Sequence, residues 1–464
     1  MRVIRCRFIK PVALWLIASA LHPTARAAER DTWTLHSIVD ATDNLKLSGS
    51  FRTRYEAIDG QPRPGLDSSP DLLTFRTTLF AEYKWNHLRI GGELYDSRAY
   101  SSEAGSGVGT GEVNALEPVQ AYVAVDFKDS LGEGTSASVQ AGRFTLNLGS
   151  RRLVAADDYR NTTNGYTGLR VDIKRAGGPS ASFIYTLPQR RLPDDLPSIL
   201  DNDVKLDEES SALKLWGGIV TLPNAIGSSM LELSYFNLRE KDQPDLATRN
   251  RQLHTWSARL FKDSGPRTWD YDLEGMYQTG SIRASTAESA EMLDVSAYFY
   301  HLEVGYQGAG AWAPRFSIEY DEASGDDNSR HYGRFDTLFG MRRADIAPSG
   351  IYAAVARANI RAAGLRLELT PSSRLDAFVS YKALWLESRT DSFSTSGVRD
   401  PSGRSGDFAG HQLDTRLRYW LIPKVLRFEG DVVLLFKGRF LETAPNAPRT
   451  GDTHYYSLNL TMSI

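Results

Sequence analysis

The chain has 464 residues, of which 54 are basic and 57 acidic, so its formal net charge is −3. This balance lacks the excess of positive charge that favours nucleic-acid binding, and nucleic acid is not an expected partner. The single cysteine, Cys6, excludes an intrachain disulfide, so other forces must stabilise the fold.

The first 27 residues have the pattern of a secretory signal peptide. Four basic residues within the first ten precede an apolar run at 12–20, and Ala25-Arg-Ala27 supplies a cleavage site. That run has roughly half of the ~20 residues that a membrane-spanning helix needs, and no later stretch does better. We predict a signal peptide at 1–27 and a mature domain at 28–464, in which 49 basic and 57 acidic residues give a net charge of −8.

From Leu45 onward, apolar and polar side chains alternate with period two, which indicates β-strands. In the segment 45–56, for example, Leu47, Phe51 and Tyr55 share one face, while Arg52 and Arg54 share the other. Many segments approach or exceed the ~9–11 residues that a tilted membrane strand requires. Eighteen strands are predicted, which begin near residues 45, 72, 87, 117, 137, 166, 181, 213, 230, 252, 269, 295, 314, 354, 374, 411, 425 and 454.

The connections between these segments alternate between short turns and long polar loops. In a meander every second connection emerges at the same rim, so all the long loops should lie at one end. Closure into a barrel also satisfies the backbone groups that an open sheet edge would expose to lipid. The predicted fold class is therefore all-β: a transmembrane, antiparallel, up-and-down β-barrel of about 18 strands, with short periplasmic turns and long extracellular loops.

This architecture predicts the bacterial outer membrane as the location and outer-membrane lipid as a partner. The last segment alternates up to Ile464, with Tyr456, Leu458 and Leu460 on its apolar face. Such an end is expected of a chain delivered to the outer-membrane barrel assembly machinery. Tyrosines and tryptophans near the segment ends suit two interfacial girdles, namely Tyr83, Trp85, Tyr95, Trp269, Tyr381, Trp385, Tyr419 and Trp420.

If the apolar face meets lipid, the opposite face lines a water-filled lumen, and that face is rich in cationic side chains. Arginine recognises carboxylates well, because its guanidinium donates two parallel hydrogen bonds. The alternative is that these cations pair with acidic side chains of neighbouring strands and brace the wall. The predicted pore-lining residues are Lys46, Arg52, Arg54, Arg76, Arg89, Arg143, Arg170, Arg366, Arg416, Arg418 and Arg427.

One long loop, from Asp321 to Gly350, holds the acidic residues Asp321, Glu322, Asp326, Asp327 and Asp336. Oxygen-rich clusters can bind Ca²⁺, but the spacing lacks the twelve-residue pattern of a dedicated site. A solvated outer loop is the simpler interpretation, and no cofactor is expected. Whether this loop folds into the mouth is left open by the sequence.

Several motifs in chain order resemble those of the alginate export family of outer-membrane barrels. They are Gly142-Arg-Phe144 with Gly149-Ser-Arg-Arg152, Glu319-Tyr-Asp-Glu-Ala-Ser-Gly-Asp326 with Phe335-Asp-Thr-Leu-Phe-Gly340, and Gly410-His-Gln-Leu-Asp414 with Phe436-Lys-Gly-Arg-Phe440. The resemblance implies an eighteen-stranded barrel that passes an anionic polysaccharide outward. It does not establish the solute, because members of such a family can serve other solutes. The full set of pore residues of the type member cannot be placed on this chain, so the resemblance does not imply the selectivity of that member.

The predicted function is an outer-membrane channel that passes a polar, anionic solute such as an alginate-like polysaccharide. The main alternative is a substrate-selective or general porin for the uptake of small anions, and a third is a receptor barrel with a plugged lumen. An enzyme is not expected, because the histidines are scattered without a nucleophile elbow or a metal-binding pair. Conductance with and without polyuronate discriminates among the three.

Overall fold

The computed structural model describes residues 34–39, 41–327, 331–341 and 346–464. The predicted signal peptide at 1–27 lies outside these residues. Three short helices, α1 (Leu35–Ile38), α2 (Leu196–Leu200) and α3 (Arg439–Thr443), accompany the strands. Within the described ranges, none of the helices has the length and apolar character needed to cross a membrane.

Long antiparallel strands form the wall of the molecule. The two-residue strand β14 (His331–Tyr332) pairs in parallel with Asp294 and Val295 of β12 and is not one of the wall strands. The wall strands are β1 (Leu45–Asp59), β2 (Asp71–Trp85), β3 (Leu88–Tyr100), β4 (Asn114–Lys128), β5 (Thr135–Phe144), β6 (Tyr166–Arg175), β7 (Ser180–Pro188), β8 (Leu213–Ile226), β9 (Ser229–Glu240), β10 (Gln252–Lys262), β11 (Thr268–Arg283), β12 (Met292–Gln307), β13 (Arg315–Ala323), β15 (Ile360–Ser372), β16 (Leu375–Trp385), β17 (Phe408–Ile422), β18 (Leu426–Lys437) and β19 (Thr453–Ser463).

Each wall strand pairs with the next in the chain, and β1 pairs with β19, so the sheet closes on itself. The closing register runs from Ser50 opposite Ser463 to Asp59 opposite His454. The predicted closed barrel of eighteen antiparallel strands is confirmed. We call the end with the long loops the outer rim and the end with the short turns the inner rim.

The apolar face of the wall points outward. Phe316 and Ile318 are 64% and 67% exposed, whereas the intervening Ser317 is 3% exposed. Large exposed apolar side chains surrounding the barrel can be covered only by lipid or by another apolar surface. Outward alternation places Trp85 and Trp269 on this surface, as predicted for the girdles.

Two of the predicted girdle residues instead face the lumen. Tyr95 alternates with the outward Leu94, and its ring lies 5.6 Å from the Arg76 guanidinium. Trp420 alternates with the outward Leu421, and its ring lies 5.5 Å from the Arg427 guanidinium. The girdle prediction is wrong for these two aromatics, because position near a strand end does not specify which face a side chain occupies.

One strand boundary also differs from the prediction. The strand expected near residue 354 begins at Ile360, whereas the other seventeen begin within three residues of their predicted positions. Ala354 and Val355 are fully buried in the loop that precedes the strand. These two apolar residues pack inside the barrel mouth, and in the sequence such a buried loop segment resembles the start of a strand.

Candidate functional site

Two long loops fold into the lumen and meet there. The β5–β6 loop (145–165) and the β13–β15 loop (324–359) share backbone hydrogen bonds, because Phe339 N donates to Leu153 O at 2.9 Å and Ala155 N donates to Phe339 O at 3.1 Å. The second loop reaches the wall where the Tyr352 hydroxyl donates to Gln412 Oε1 at 2.7 Å. The structure thus answers the question that the sequence left open: this loop does fold into the mouth.

The tip of the 145–165 loop lies against the lumen side of β1 and β2. Arg52 donates to the carbonyl oxygens of Asp158 at 3.1 Å and Arg160 at 2.7 Å, and Arg76 donates to Arg160 O at 3.1 Å. The Arg54 guanidinium lies 4.1 Å from the centre of the Tyr159 ring. These three predicted pore residues therefore hold a peptide segment, 158–161, in the lumen.

Other predicted pore residues pair with acidic neighbours, as the bracing alternative describes. Arg89 bonds to Glu82 at 2.9 Å and Asp126 at 2.8 Å, and Arg143 bonds to Glu117 at 2.5 Å. Lys46 lies 5.5 Å from the centre of the Phe80 ring. The remaining ion pairs join Arg170 to Asp172 at 2.7 Å, Arg366 to Glu368 at 2.6 Å, Arg416 and Arg418 to Asp376 at 3.8 and 2.8 Å, and Arg427 to Glu429 at 3.5 Å.

Some of these ion-paired arginines keep part of the side chain exposed. The side chains of Arg418 and Arg427 are 31% and 30% exposed, whereas Arg52 is 5% exposed as a whole residue. The structure therefore brings together Arg52, Arg54 and Arg76 around one loop segment, and distributes the other predicted residues around the wall. Contact of any of them with a solute stays a prediction.

Four arginines that the sequence interpretation did not select surround a cavity of about 610 Å³ near the outer rim. We call this cavity the outer chamber. Its volume is within the range of roughly 300–1,000 Å³ that is usual for ligand pockets. Its lining includes Arg63, Arg160, Arg190 and Arg191, together with Glu112, Asp157, Asp194 and the glycine-rich stretch 107–111.

Arg63 and Arg191 are held by neutral partners, whereas Arg160 and Arg190 pair with Asp157 and Asp194. Arg191 donates to Thr110 O at 3.0 Å and to Asn164 Oδ1 at 2.6 Å. Arg63 donates to Ile351 O at 2.9 Å. A guanidinium held by carbonyl groups keeps its positive charge uncompensated, so these contacts orient the cations without neutralising them.

Burial alters the titration of the charged groups in the chamber. Desolvation and the negative charge of Glu56 raise the pKa of Glu112 to about 7. Desolvation and the positive charge of Arg160 lower the pKa of Arg191 to about 9. Near neutral pH the chamber therefore keeps its guanidinium charges while Glu112 is partly protonated, which increases the excess of positive charge.

The acidic residues considered for Ca²⁺ do not converge. Among the described residues, no group of three or more side chains of the metal-ligating types is arranged to hold an ion. Asp321 lies in β13, where it pairs with His301 at 2.7 Å and Lys382 at 3.0 Å, and Asp336 pairs with Arg251 at 2.7 Å. The extent of the loop was predicted incorrectly at its start, because Asp321 and Glu322 belong to the wall.

The sequence contained two signals for the outer chamber: the stretch Gly105-Ser-Gly-Val-Gly-Thr-Gly111 and the adjacent Arg190 and Arg191. Both stretches lie in long polar loops between predicted strands, where the sequence alone shows no binding site. Glycine permits close backbone approach, and here it lets the 101–113 loop line the cavity beside Arg63 and Arg160. Only the folded arrangement shows that these segments meet.

Two of the motifs quoted from the sequence meet in space. A Cβ atom added to Gly340 would lie 1.8 Å from the carbonyl oxygen of Arg152, so the two loops can approach this closely only with glycine. The Arg152 side chain continues to Glu274 at 2.6 Å and Asp272 at 3.2 Å. Gly149–Arg152 and Phe335–Gly340 therefore form the junction of the two loops in the lumen.

Comparison with known proteins agrees with this arrangement. The model of the family described as alginate export matches residues 43–453. A search of curated proteins finds no matching sequence. The family match therefore covers almost the entire barrel, including both loops of the lumen.

Solved structures show the same fold at low sequence identity. A BenF-like porin from Pseudomonas fluorescens Pf-5 aligns with a TM-score of 0.58 and 12% identity, over 91% of this chain and 99% of that chain. OccK2 (OpdF) from Pseudomonas aeruginosa, crystallised in complex with glucuronate, aligns with a TM-score of 0.55 and 11% identity, over 91% and 97%. OccK8 (OprE) from the same organism aligns with a TM-score of 0.55 and 14% identity, over 91% and 98%.

Proposed function

This chain belongs to the alginate export family and is a barrel of the bacterial outer membrane, and from that premise we propose that its lumen passes an acidic, uronate-bearing polysaccharide outward. The observation that carries the proposal is the outer chamber, where four arginines surround one water-accessible cavity. A polyuronate presents one carboxylate on each sugar. Successive weak contacts with guanidinium groups would let such a polymer enter and also leave.

The charge arrangement supports a carboxylate ligand over a neutral sugar. Arg190 keeps 35% of its side chain exposed while its Nε donates to Asp194 at 2.9 Å. Arg160 lies 3.0 Å from Asp157 and is directed along the same cavity. Glucuronate, the ligand crystallised with OccK2, is a uronate monomer, which supports this ligand class for a barrel of this fold.

A small anion taken up from outside is the second candidate, and the segment 158–161 favours it. This segment lies in the lumen and is held there by Arg52 and Arg76. A polymer needs a wider path past the segment than a small anion does. The two candidates therefore differ in how wide a path the loop must leave.

Single-channel conductance in planar bilayers tests the proposal. Oligouronate added to the wild-type protein should block the current in a concentration-dependent manner, and a neutral oligosaccharide of equal length should not. The double variant Arg160→Gln/Arg190→Gln should need roughly tenfold more oligouronate for the same block, since each charge-assisted bond contributes about 1 kcal/mol or more. The matched control, Arg389→Gln/Arg439→Gln, removes two exposed cations of the outer loops and should leave the block unchanged.

Each result separates the candidates. Block by monomeric uronate without any added effect of chain length would support the small-anion pore. A current that responds to salt alone, with no effect of either ligand, would contradict both. In the native cell, loss of the chain should leave acidic polymer in the periplasm if transport is outward.

A further inference from the structure

Two cations on the outward face of the wall lie directly opposite each other. Lys214 of β8 pairs in register with Arg239 of β9, and outward alternation places both beside the outer rim. Side chains in such positions have Cβ atoms about 5 Å apart, and like charges there repel. Lys241, two residues further on, is also exposed.

These two charges have no acidic partner among the residues that the structure describes. In the part of the chain that the structure describes, neither Lys214 nor Arg239 takes part in an ion pair. Glu240, which neighbours Arg239, is bound to Arg251 at 2.7 Å. Like charges directly opposite each other destabilise a strand pair, and an anion bound between them would remove that repulsion.

An apolar groove begins just below the cation pair. Its volume is about 620 Å³, and it is lined by residues of β7, β8 and β9 that include Phe183, Trp216, Leu233 and Tyr235. Gly218 lies between Phe183 and Tyr235 in the register and has no side chain to fill the space. Lys214 precedes Gly218 by four residues, or about 13 Å along the strand.

We propose that this surface binds a phosphorylated glycolipid of the outer leaflet, with its phosphate between Lys214 and Arg239 and an acyl chain in the groove beneath. The two parts of the surface match the two parts of such a lipid in order of depth. The cations lie at the rim, where headgroups are found, and the groove lies where hydrocarbon begins. Trp216 and Tyr235, whose rings are 5.5 Å apart, occupy the boundary between them.

Native mass spectrometry of the full-length barrel in detergent tests this site. A diphosphorylated glucosamine glycolipid is titrated against the wild type and against the double variant Lys214→Gln/Arg239→Gln. The variant should bind at least about tenfold more weakly, since it loses both charge-assisted contacts. The matched control, Lys262→Gln/Lys424→Gln, removes two cations near the inner rim and should bind as the wild type does.

Further arms identify the ligand and control for folding. The dephosphorylated glycolipid should bind the wild type as weakly as the phosphorylated one binds the double variant. Inorganic phosphate should compete only weakly, because it cannot occupy the groove; equal competition by free phosphate would overturn the assignment to a lipid. If the double variant fails to fold, each single variant should show an intermediate loss, and unchanged binding in both would overturn the site. Loss of glycolipid binding is independent of oligouronate block, so the two proposals can fail separately.

Discussion

The middle of the lumen and its inner rim use arginine in different ways. In the middle of β1, Arg52 and Arg54 are buried against the in-folded loop. Near the inner rim, Arg418 and Arg427 pair with acidic residues while keeping about 30% of their side chains exposed. A periodic pattern of inward arginines therefore predicts a charged lumen, but not whether a given arginine holds protein or faces water.

The difference has an energetic cause. A buried charge that loses its partner costs several kcal/mol, whereas an exposed pair contributes about 1 kcal/mol or less. Charges buried against the in-folded loops should therefore fix the structure of those loops, and exposed charges near the inner rim should tune the passage of ions. The following predictions test this division, from the largest expected effect to the smallest.

The largest effect is expected at the junction of the two loops. Arg152, whose side chain is 4% exposed, bonds to Glu274, which is equally buried. Arg152→Leu should destabilise the barrel by roughly 3–5 kcal/mol, because it leaves a buried carboxylate uncompensated. Thermal unfolding in detergent measures this loss. Arg151→Leu, the adjacent control, breaks a pair with the 65% exposed Asp158 and should cost about 1 kcal/mol or less; equal losses would contradict the division.

A second effect concerns segment 158–161, which Arg52 holds in the lumen. Arg52→Gln removes the bonds to the carbonyl oxygens of Asp158 and Arg160. Unpaired carbonyls cost about 1–3 kcal/mol, so the segment should leave the lumen more often. Single-channel recordings should show larger or longer openings. If Arg52→Gln only lowered the current, the segment would not be the constriction.

A third effect should appear with pH. The pKa of Glu112 is raised to about 7 by burial and by Glu56, so acidification from about pH 8 to about pH 6 adds positive charge to the outer chamber. Anion selectivity, measured as the reversal potential in a salt gradient, should increase on acidification.

The matched variant Glu112→Gln should reduce this response. Asp207, whose pKa is raised to about 7 by burial and by Glu117, titrates in the same range but does not line the chamber. Asp207→Asn is thus the control that should retain the selectivity change. Glu112 also makes the stability depend on pH, in the opposite direction to a carboxylate in an ion pair. The fold favours protonated Glu112, so its stabilising contribution is fully present below the unfolded pKa of about 4.3. That contribution is lost as the pH rises through the folded pKa of about 7.

The smallest effect is expected near the inner rim. Arg427→Gln removes an exposed cation that lies 3.5 Å from Glu429. Stability should change by about 1 kcal/mol or less, and anion selectivity should fall slightly with no change in open-channel conductance. A loss of stability comparable with that of Arg152→Leu would show that arginines near the inner rim stabilise the fold as much as arginines buried against the loops do.

Much of the barrel was predictable because its strands follow a local rule. Outward residues such as Leu79 and Leu458 must be apolar and lumen-facing residues such as Glu82 and Asp431 can be polar, so period two appears along each strand. The rule failed at Ala354 and Val355, because burial inside the barrel mouth selects the same apolar residue types as contact with lipid. It also misassigned Tyr95 and Trp420, whose positions near strand ends gave no information about their face.

The candidate site was predictable only in kind. A lumen rich in arginine followed from the inward face, but Arg160 and Arg191 belong to loops whose spacing shows no periodicity. Their meeting depends on contacts between residues more than twenty-five positions apart, such as that of Arg191 with Asn164. Gly340 lies at the junction of the two lumen loops. Only the folded structure shows why glycine is required there, because a side chain would collide with the Arg152 carbonyl oxygen.

The sequence by itself determined the number of wall strands, their closure and the rim that carries the long loops, since these depend on alternation and connection length within short stretches of chain. Only the tertiary structure decided that two loops enter the lumen and that Arg52 and Arg76 hold one of them. The physical reason is that a hydrogen bond between distant segments depends on the fold that brings them together, and neither segment alone encodes its partner.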